Sequence, residues 1–89
     1  MKEYKVVVGI DWSDSKNFYA IRVQGEEKLR QGNFTQSAEG IEKFVQELRV
    51  LSCNGKVAIA LEQSRGPLIF SLMKYDFIVL YRLNPKSLA

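Results

Sequence analysis

The sequence predicts an α/β fold in which a mixed β-sheet is combined with two helices. Three β-prone runs precede the first helical pattern, and two later apolar runs each follow a helical segment. The chain of 89 residues contains no internal repeat and no linker. We therefore expect residues 1–89 to be one small domain with the order three antiparallel strands, helix, strand, helix, strand, and a thin margin of stability.

The first three strands are predicted from runs of β-prone residues separated by polar turns. Residues 4–11 contain a nearly continuous β-branched run, which is typical of a central strand covered on both faces. Residues 12–17 are polar enough to form a turn, and residues 18–23 resume the β-prone pattern. Residues 28–34 alternate in polarity and contain Gly32, which indicates a weaker strand near the edge of the sheet.

The helical segments are predicted from capping residues and from apolar spacing. Ser37 is a suitable N-cap, and apolar residues then recur on one helical face at Ile41, Phe44, Val45, Leu48 and Leu51. Asn54 and Gly55 tolerate the left-handed backbone conformation at which this helix should end. Residues 57–61 predict a buried strand, Pro67 suits the first turn of a second helix, and residues 77–81 predict a fifth strand.

Two acids follow apolar strands that should lie next to each other. Right-handed crossovers allow the fourth strand to lie parallel to the first and beside it. Asp11 and Glu62 would then meet at the carboxyl ends of neighbouring strands, where ligands gather in α/β sheets.

Such a pair of carboxylates predicts a site for Mg²⁺ or Mn²⁺. Two bare carboxylates about 4 Å apart repel by roughly 4 kcal/mol at an effective dielectric near 20, so they need a proton or a cation. Divalent ions with oxygen ligands promote phosphoryl transfer, and this makes Asp11 and Glu62 candidate metal ligands and catalytic residues acting on nucleic acid. Alternatively, Asp11 caps the following turn and Glu62 accepts backbone hydrogen bonds. The spacing alone favours neither interpretation.

Composition excludes several other kinds of site. The chain has no histidine, so neither a Ser-His-Asp nor a Cys-His mechanism can be assembled from it. Its single cysteine, Cys53, can form neither an internal disulfide nor, without other soft ligands, a zinc site. There is no apolar run of about 20 residues and no apolar core of a signal peptide, so we expect a cytoplasmic protein without a membrane partner.

Basic and aromatic residues provide candidate contacts to nucleic acid. The formal charge is +3, and the surplus of Lys and Arg falls after residue 62, which gives mild support for a phosphate-binding surface. Lys16 and Arg65 are the candidates for phosphate contacts, although a surface salt bridge explains Arg65 equally well. Trp12 and Tyr19 are candidates for base stacking, but aromatic packing is the commoner role of such residues.

Several short segments resemble, in the same order, those of one protein family. Residues 8–16, VGIDWSDSK, resemble the "GID-x-S" opening of bacterial insertion-sequence transposases with a RuvC-like N-terminal domain, the relatives of the Piv/MooV invertases. Residues 33–35 (NFT), 39–41 (EGI), 60–66 (ALEQSRG) and 84–86 (NPK) resemble later segments of that family. The resemblance covers nearly the whole chain, and the set of segments is more specific than any one of them.

This resemblance implies an RNase H-like domain of a DNA transposase. The family uses a DEDD set of acids to bind divalent metal and act on DNA, and its first two acids correspond to Asp11 and Glu62. The other two acids and the family's proposed catalytic serine have no counterpart, so the resemblance implies a chain truncated before the final helix and a poor catalyst by itself. Some family members are guided by a structured RNA, which makes such an RNA a candidate partner beside DNA.

Two other classes of function remain open. The actin-like ATP-binding superfamily shares this order of elements, but its phosphate loop should be glycine-rich, whereas residues 12–15 contain no glycine. A non-catalytic module that dimerises or binds nucleic acid is the other alternative. The small core and the open final strand favour self-association, so we expect a homo-oligomer.

Overall fold

The strands and helices form a mixed sheet with helices on one side. The computed structural model describes residues 4–12, 15–61 and 67–82, without the side chains of residues 12, 67 and 82. In the described residues the order is β1 (Val6–Trp12), β2 (Lys16–Val23), β3 (Arg30–Thr35), α1 (Ala38–Leu51), β4 (Val57–Leu61), α2 (Pro67–Met73) and β5 (Ile78–Arg82). The strand order across the sheet is β3-β2-β1-β4-β5. β1 to β3 are antiparallel neighbours, whereas β1, β4 and β5 are parallel, as the sequence predicts.

The first helix begins and ends where its capping residues predict. Ser37 has an extended backbone, and its hydroxyl accepts a hydrogen bond from the Gly40 N–H at 3.0 Å. After Ser52 the chain turns through two left-handed residues, Cys53 and Asn54, with φ values of 53° and 65°. The helix has therefore already ended at Leu51, and Asn54, one of the non-glycine residue types that adopt this conformation most readily, lies in the turn that follows it.

Alternation along the strands gives the sheet one covered and one open face. We call the helix-packed side the covered face; its strand residues are buried with the apolar faces of α1 and α2 in one core: Val6, Val8, Ile10, Ile21, Phe34, Val57, Ile59, Leu61 and Ile78. The side chains between them lie on the opposite side, which we call the open face. It is formed by residues such as Gly9, Asp11 and Phe18, which are exposed.

The boundaries of the first hairpin differ from the prediction. β1 continues through Trp12 and β2 already begins at Lys16, so three of the six residues of the expected turn over residues 12–17 are paired strand. Lys16 and Asn17 also pair with Thr35 and Phe34 of β3. The polar sequence resembles a turn, but pairing on both sides of β2 overrides local preference. The third strand begins at residue 30, two residues later than predicted.

Candidate functional site

Asp11 lies on the open face, close to the carboxyl end of β1. Its backbone pairs with Phe18 in the antiparallel ladder, and its side chain is exposed. The neighbouring residue, Ile10, is buried in the core on the covered face. The pairing of β1 therefore directs the Asp11 side chain to the side of the sheet that the helices leave accessible.

The predicted pair of acids, Asp11 and Glu62, depends on the parallel pairing of β1 with β4. Ile10, the residue before Asp11, is the register partner of Leu61, the residue before Glu62. Glu62 and Arg65 themselves lie outside the described residues. The predicted adjacency and direction of the two strands are confirmed, whereas the convergence of the two carboxylates stays a prediction.

A shallow depression of about 750 Å³ runs over the open face beside Asp11. Cross-strand pairing places Asp11, Phe18 and Asn33 in one row across β1, β2 and β3. Below this row the depression is lined by small residues of three strands, Gly9, Ala20 and Ala60. The site is therefore broad and accessible, with one acid, one aromatic ring and one amide along its upper edge.

Lys16 lies on the same face as Asp11, and Tyr19 lies on the other. Lys16 begins β2, is exposed, and is separated from Phe18 by one residue, so both side chains are on the open face. Tyr19 packs against Phe34 and Phe44, with ring centroids 6.3 and 4.9 Å away. Burial, and secondarily the negative charge of Glu47, raises the pKa of the Tyr19 phenol above its usual value. Tyr19 therefore has the packing role, and it is not available for base stacking.

The beginning of β2 is hydrogen-bonded to the segment that leads into α1. The Asn17 amide is completely buried, and its Nδ2 donates a hydrogen bond to the Gln36 side chain. The Gln36 backbone N–H donates to the Ser15 carbonyl at 3.1 Å. Within the described part of the chain, Asn17 Oδ1 has no hydrogen-bond partner. These bonds restrain the end of the first hairpin, and therefore the position of Asp11.

Asp11 is the carboxylate that the described residues could offer to a divalent ion at this position. Among residues 4–12, 15–61 and 67–82, no group of three or more His, Cys, Asp or Glu side chains is placed to hold a metal. Mg²⁺ usually keeps several waters and takes one or two protein carboxylates together with substrate phosphates. The exposed Asp11 carboxylate fits an ion that is held jointly by protein and substrate.

Phe18 is the site residue that the sequence prediction missed. It is 49% exposed, and it is the direct cross-strand neighbour of Asp11. The alternation of residues 16–23 contained the signal, because Phe18 falls out of phase with the buried Asn17 and Ile21 and with the partly buried Tyr19. Because that segment was assigned partly to a turn, its alternation was not used.

Three solved structures each contain a part that is similar in fold to this chain. A foamy viral protease-reverse transcriptase in complex with double-stranded DNA aligns with 96% of this chain and 24% of its own, with a TM-score of 0.62 and 11% sequence identity. A foamy viral protease-reverse transcriptase dRH with double-stranded DNA aligns with 92% of this chain and 20% of its own, with a TM-score of 0.58 and 12% identity. The foamy viral protease-reverse transcriptase in complex with an RNA/DNA hybrid aligns with 93% of this chain and 16% of its own, with a TM-score of 0.51 and 12% sequence identity.

The chain has an RNase H-like fold. It spans about a quarter or less of each of these proteins, and at 11–12% identity the likeness extends to the fold alone. No family model and no curated protein matches the sequence. Among the residues that the structure describes, neither helix has the length and apolar character needed to cross a bilayer.

Proposed function

We propose that this chain is the RNase H-like, N-terminal catalytic part of an insertion-sequence DNA transposase related to the Piv/MooV invertases. The fold and the exposed acid at the end of β1 support phosphodiester chemistry on nucleic acid. The ordered resemblance of residues 8–16 and 60–66 to that family supports transposition as the process.

The parallel register of β1 and β4 is the observation on which this proposal depends. Extending the ladder from the pair Ile10 and Leu61 by one residue would pair Asp11 with Glu62 and place both side chains on the open face. Neighbouring parallel strands are about 4.8 Å apart, so the two carboxylates would be close enough to share one ion. Their mutual repulsion without a cation favours metal binding at this pair.

The roles of the individual residues follow from this arrangement. A bound Mg²⁺ or Mn²⁺ would orient the attacking group and stabilise charge on the leaving oxygen. Asp11 and Glu62 would hold the ion, and Lys16 and Arg65 would bind neighbouring phosphates of DNA. A structured guide RNA as a second nucleic-acid partner, self-association and a cytoplasmic location belong to the same proposal.

Manganese titration followed by NMR tests the metal site. We expect Mn²⁺ at millimolar concentration or below to broaden backbone amide signals around Asp11 and Glu62, because the ion is paramagnetic and binds there. Asp11→Asn and Glu62→Gln should each abolish this broadening. Asp76→Asn is the matched control, since Asp76 is an exposed acid in the turn before β5, at the opposite end of the parallel strands. Equal broadening in the wild type and in Asp11→Asn would exclude the proposed site.

A non-catalytic nucleic-acid-binding module is the second candidate. The exposed aromatic ring of Phe18 beside basic residues favours binding even without a complete set of acids. Binding of DNA or RNA with steep salt dependence, unchanged in Asp11→Asn and without any effect of Mn²⁺, would select this candidate. Tight ATP binding would instead favour the actin-like class.

A further inference from the structure

The half of the open face formed by β2 and β3 has the composition of a nucleic-acid-binding surface. We call this half the platform; it consists of Lys16, Phe18, Ala20 and Arg22 of β2 with Gln31, Asn33 and Thr35 of β3. We propose that the platform binds single-stranded nucleic acid, with one base stacked on Phe18 and its phosphate directed towards Asp11. This deepens the proposed function, because it rests on Asp11 being the site of phosphodiester chemistry.

Phe18 is exposed where the other rings on these strands are packed. Tyr19 and Phe34, on the covered face of the same strands, form a ring cluster with Phe44 of α1. Phe18 is 49% exposed and takes no part in this cluster or in the buried core. An exposed ring on a flat sheet stabilises nucleic acid by stacking with any base, because every base has a π-face. The position of Phe18 therefore supplies a stacking surface that the fold does not use for its own packing.

The spacing of Phe18 from Asp11 suits a single nucleotide. Directly paired residues of antiparallel strands have Cβ atoms about 4.5–5.5 Å apart, and their side chains lie on the same face. A base stacked on the Phe18 ring would therefore place its own sugar and phosphate beside the Asp11 carboxylate. The stacking surface and the candidate metal ligand form one continuous site.

Charge along β2 complements a phosphate backbone. Lys16 and Arg22 are exposed and lie on the same face as Phe18, about 7 Å and 14 Å from it along the strand. The β3 part of the platform carries no charge, and its exposed Gln31, Asn33 and Thr35 offer hydrogen-bond donors and acceptors for base edges. A protein partner with an apolar surface would bury these polar groups without partners, which is costly. The platform therefore fits a nucleic acid better than an apolar helix.

Small residues leave space for a nucleic-acid strand to approach the sheet. Among the residues that the structure describes, and apart from the chain neighbours of Gly9, none has an atom within 4 Å of a Cβ added to Gly9, and the φ angle of Gly9 is not positive. Glycine at this position is required neither by packing nor by backbone conformation. The open space above it continues over Ala20 and Ala60, beside the Phe18 ring.

Single-stranded rather than duplex nucleic acid fits this geometry. The bases of a duplex are stacked on one another, so that their faces cannot reach a protein ring unless the duplex opens. The depression is also shallow and broad, whereas reading a duplex requires an element that enters one of its grooves. Stacking on Phe18 therefore requires unpaired bases.

Fluorescence anisotropy with a labelled pyrimidine oligonucleotide of about 12 nucleotides tests this proposal. The titration is run on the whole 89-residue chain, in EDTA, so that a metal at Asp11 contributes nothing. We expect Phe18→Leu, which keeps an apolar side chain but removes the ring, to weaken binding about 5- to 100-fold. Phe18→Trp should retain binding. Phe70→Leu is the matched control, because Phe70 is 68% exposed on α2 and lies outside the platform; it should leave the affinity unchanged.

Salt dependence tests the charged part of the platform. Arg22→Gln should lower the slope of the logarithm of affinity against the logarithm of salt concentration by about one. Lys43→Gln removes an exposed cation from α1 and should leave that slope unchanged. Circular dichroism and thermal melting of each variant show whether it is folded before its affinity is compared.

Four results would overturn the proposal that the platform binds single-stranded nucleic acid. They are no binding of the oligonucleotide to the wild type, equal affinity of wild type and Phe18→Leu, tighter binding of the matching duplex, and loss of self-association in Phe18→Leu without a change in oligonucleotide affinity. The last result would make the surface a protein interface. If Mn²⁺ does not broaden the signals around Asp11 but oligonucleotide binding still depends on Phe18, the proposed metal site is wrong and the platform is unaffected. The two proposals can therefore fail separately.

Discussion

The covered and open faces of the sheet are built from the same strands but are subject to different constraints. On β1, Val8 is completely buried against the helices, whereas the adjacent Val7 is only half-buried on the other side. Residues of the covered face are fixed by the need to fill the core with α1 and α2. Those of the open face are mostly free of this need, so glycine at residue 9 and an exposed ring at residue 18 require another explanation. Binding is the explanation that we propose.

Shortening a valine on each face of β1 should give the largest difference. Val8→Ala removes buried methyl groups and leaves a cavity, so we expect it to lower the free energy of unfolding by about 2 to 3 kcal/mol. Val7→Ala removes the same groups from a half-buried position and should cost less, roughly 1 kcal/mol. Chemical denaturation followed by circular dichroism measures both. Equal losses would mean that the open face is packed as tightly as the covered face.

Adding one methyl group to a glycine on each face should change the free energy of unfolding by less than the valine substitutions do. The two glycine variants should differ in sign. A Cβ at Gly32 would lie 2.5 Å from the Tyr19 hydroxyl oxygen, and the Tyr19 ring is held by Phe34 and Phe44. We therefore expect Gly32→Ala to destabilise the fold by about 1 to 3 kcal/mol. Gly9→Ala meets no atom and should be neutral or stabilising by up to about 1 kcal/mol, because it restricts the unfolded chain.

Gly9→Ala also separates stability from binding. If the open space above Gly9 serves a ligand, larger substitutions such as Gly9→Val should weaken oligonucleotide binding while leaving thermal stability unchanged or raised. A loss of stability in Gly9→Ala would instead show that residue 9 packs against part of the molecule. Thermal melting and anisotropy on the same samples decide between these outcomes.

The architecture was predictable because local signals and chain connectivity agree. Ser37, the apolar face of α1 and Asn54 define the first helix from sequence alone, and right-handed crossovers place β4 beside β1. The first hairpin was predicted less well, because Asn17 is a polar residue that is completely buried. Its amide is hydrogen-bonded to Gln36, nineteen residues away, and local sequence patterns do not show such a contact.

The candidate site was predictable only in part, for a related reason. The position of Asp11 follows from the end of an apolar run, and Lys16 was also recognised as a nearby cation. The role of Phe18 depends on which face of β2 it occupies, and one misplaced strand boundary hides that alternation. Glu62 lies beyond the described end of β4, so its distance from Asp11 stays a prediction, and the truncation before a final helix does so as well.

The tyrosine on the covered face should give the smallest effect, one that depends on pH. Burial, and then the charge of Glu47, raises the pKa of Tyr19 in the folded protein, so the folded state binds the phenolic proton more tightly than the unfolded state does. This contribution to stability is fully present below the unfolded pKa of about 10 and is lost as pH rises through the folded pKa. The unfolding free energy of the wild type should therefore decrease more steeply above about pH 10 than that of Tyr19→Phe. Denaturation curves at several alkaline pH values measure this, with Tyr75→Phe as the reference for losing one phenol. If the unfolding free energies of wild type and Tyr19→Phe change in parallel with pH, the Tyr19 hydroxyl is as solvated as a residue of the open face.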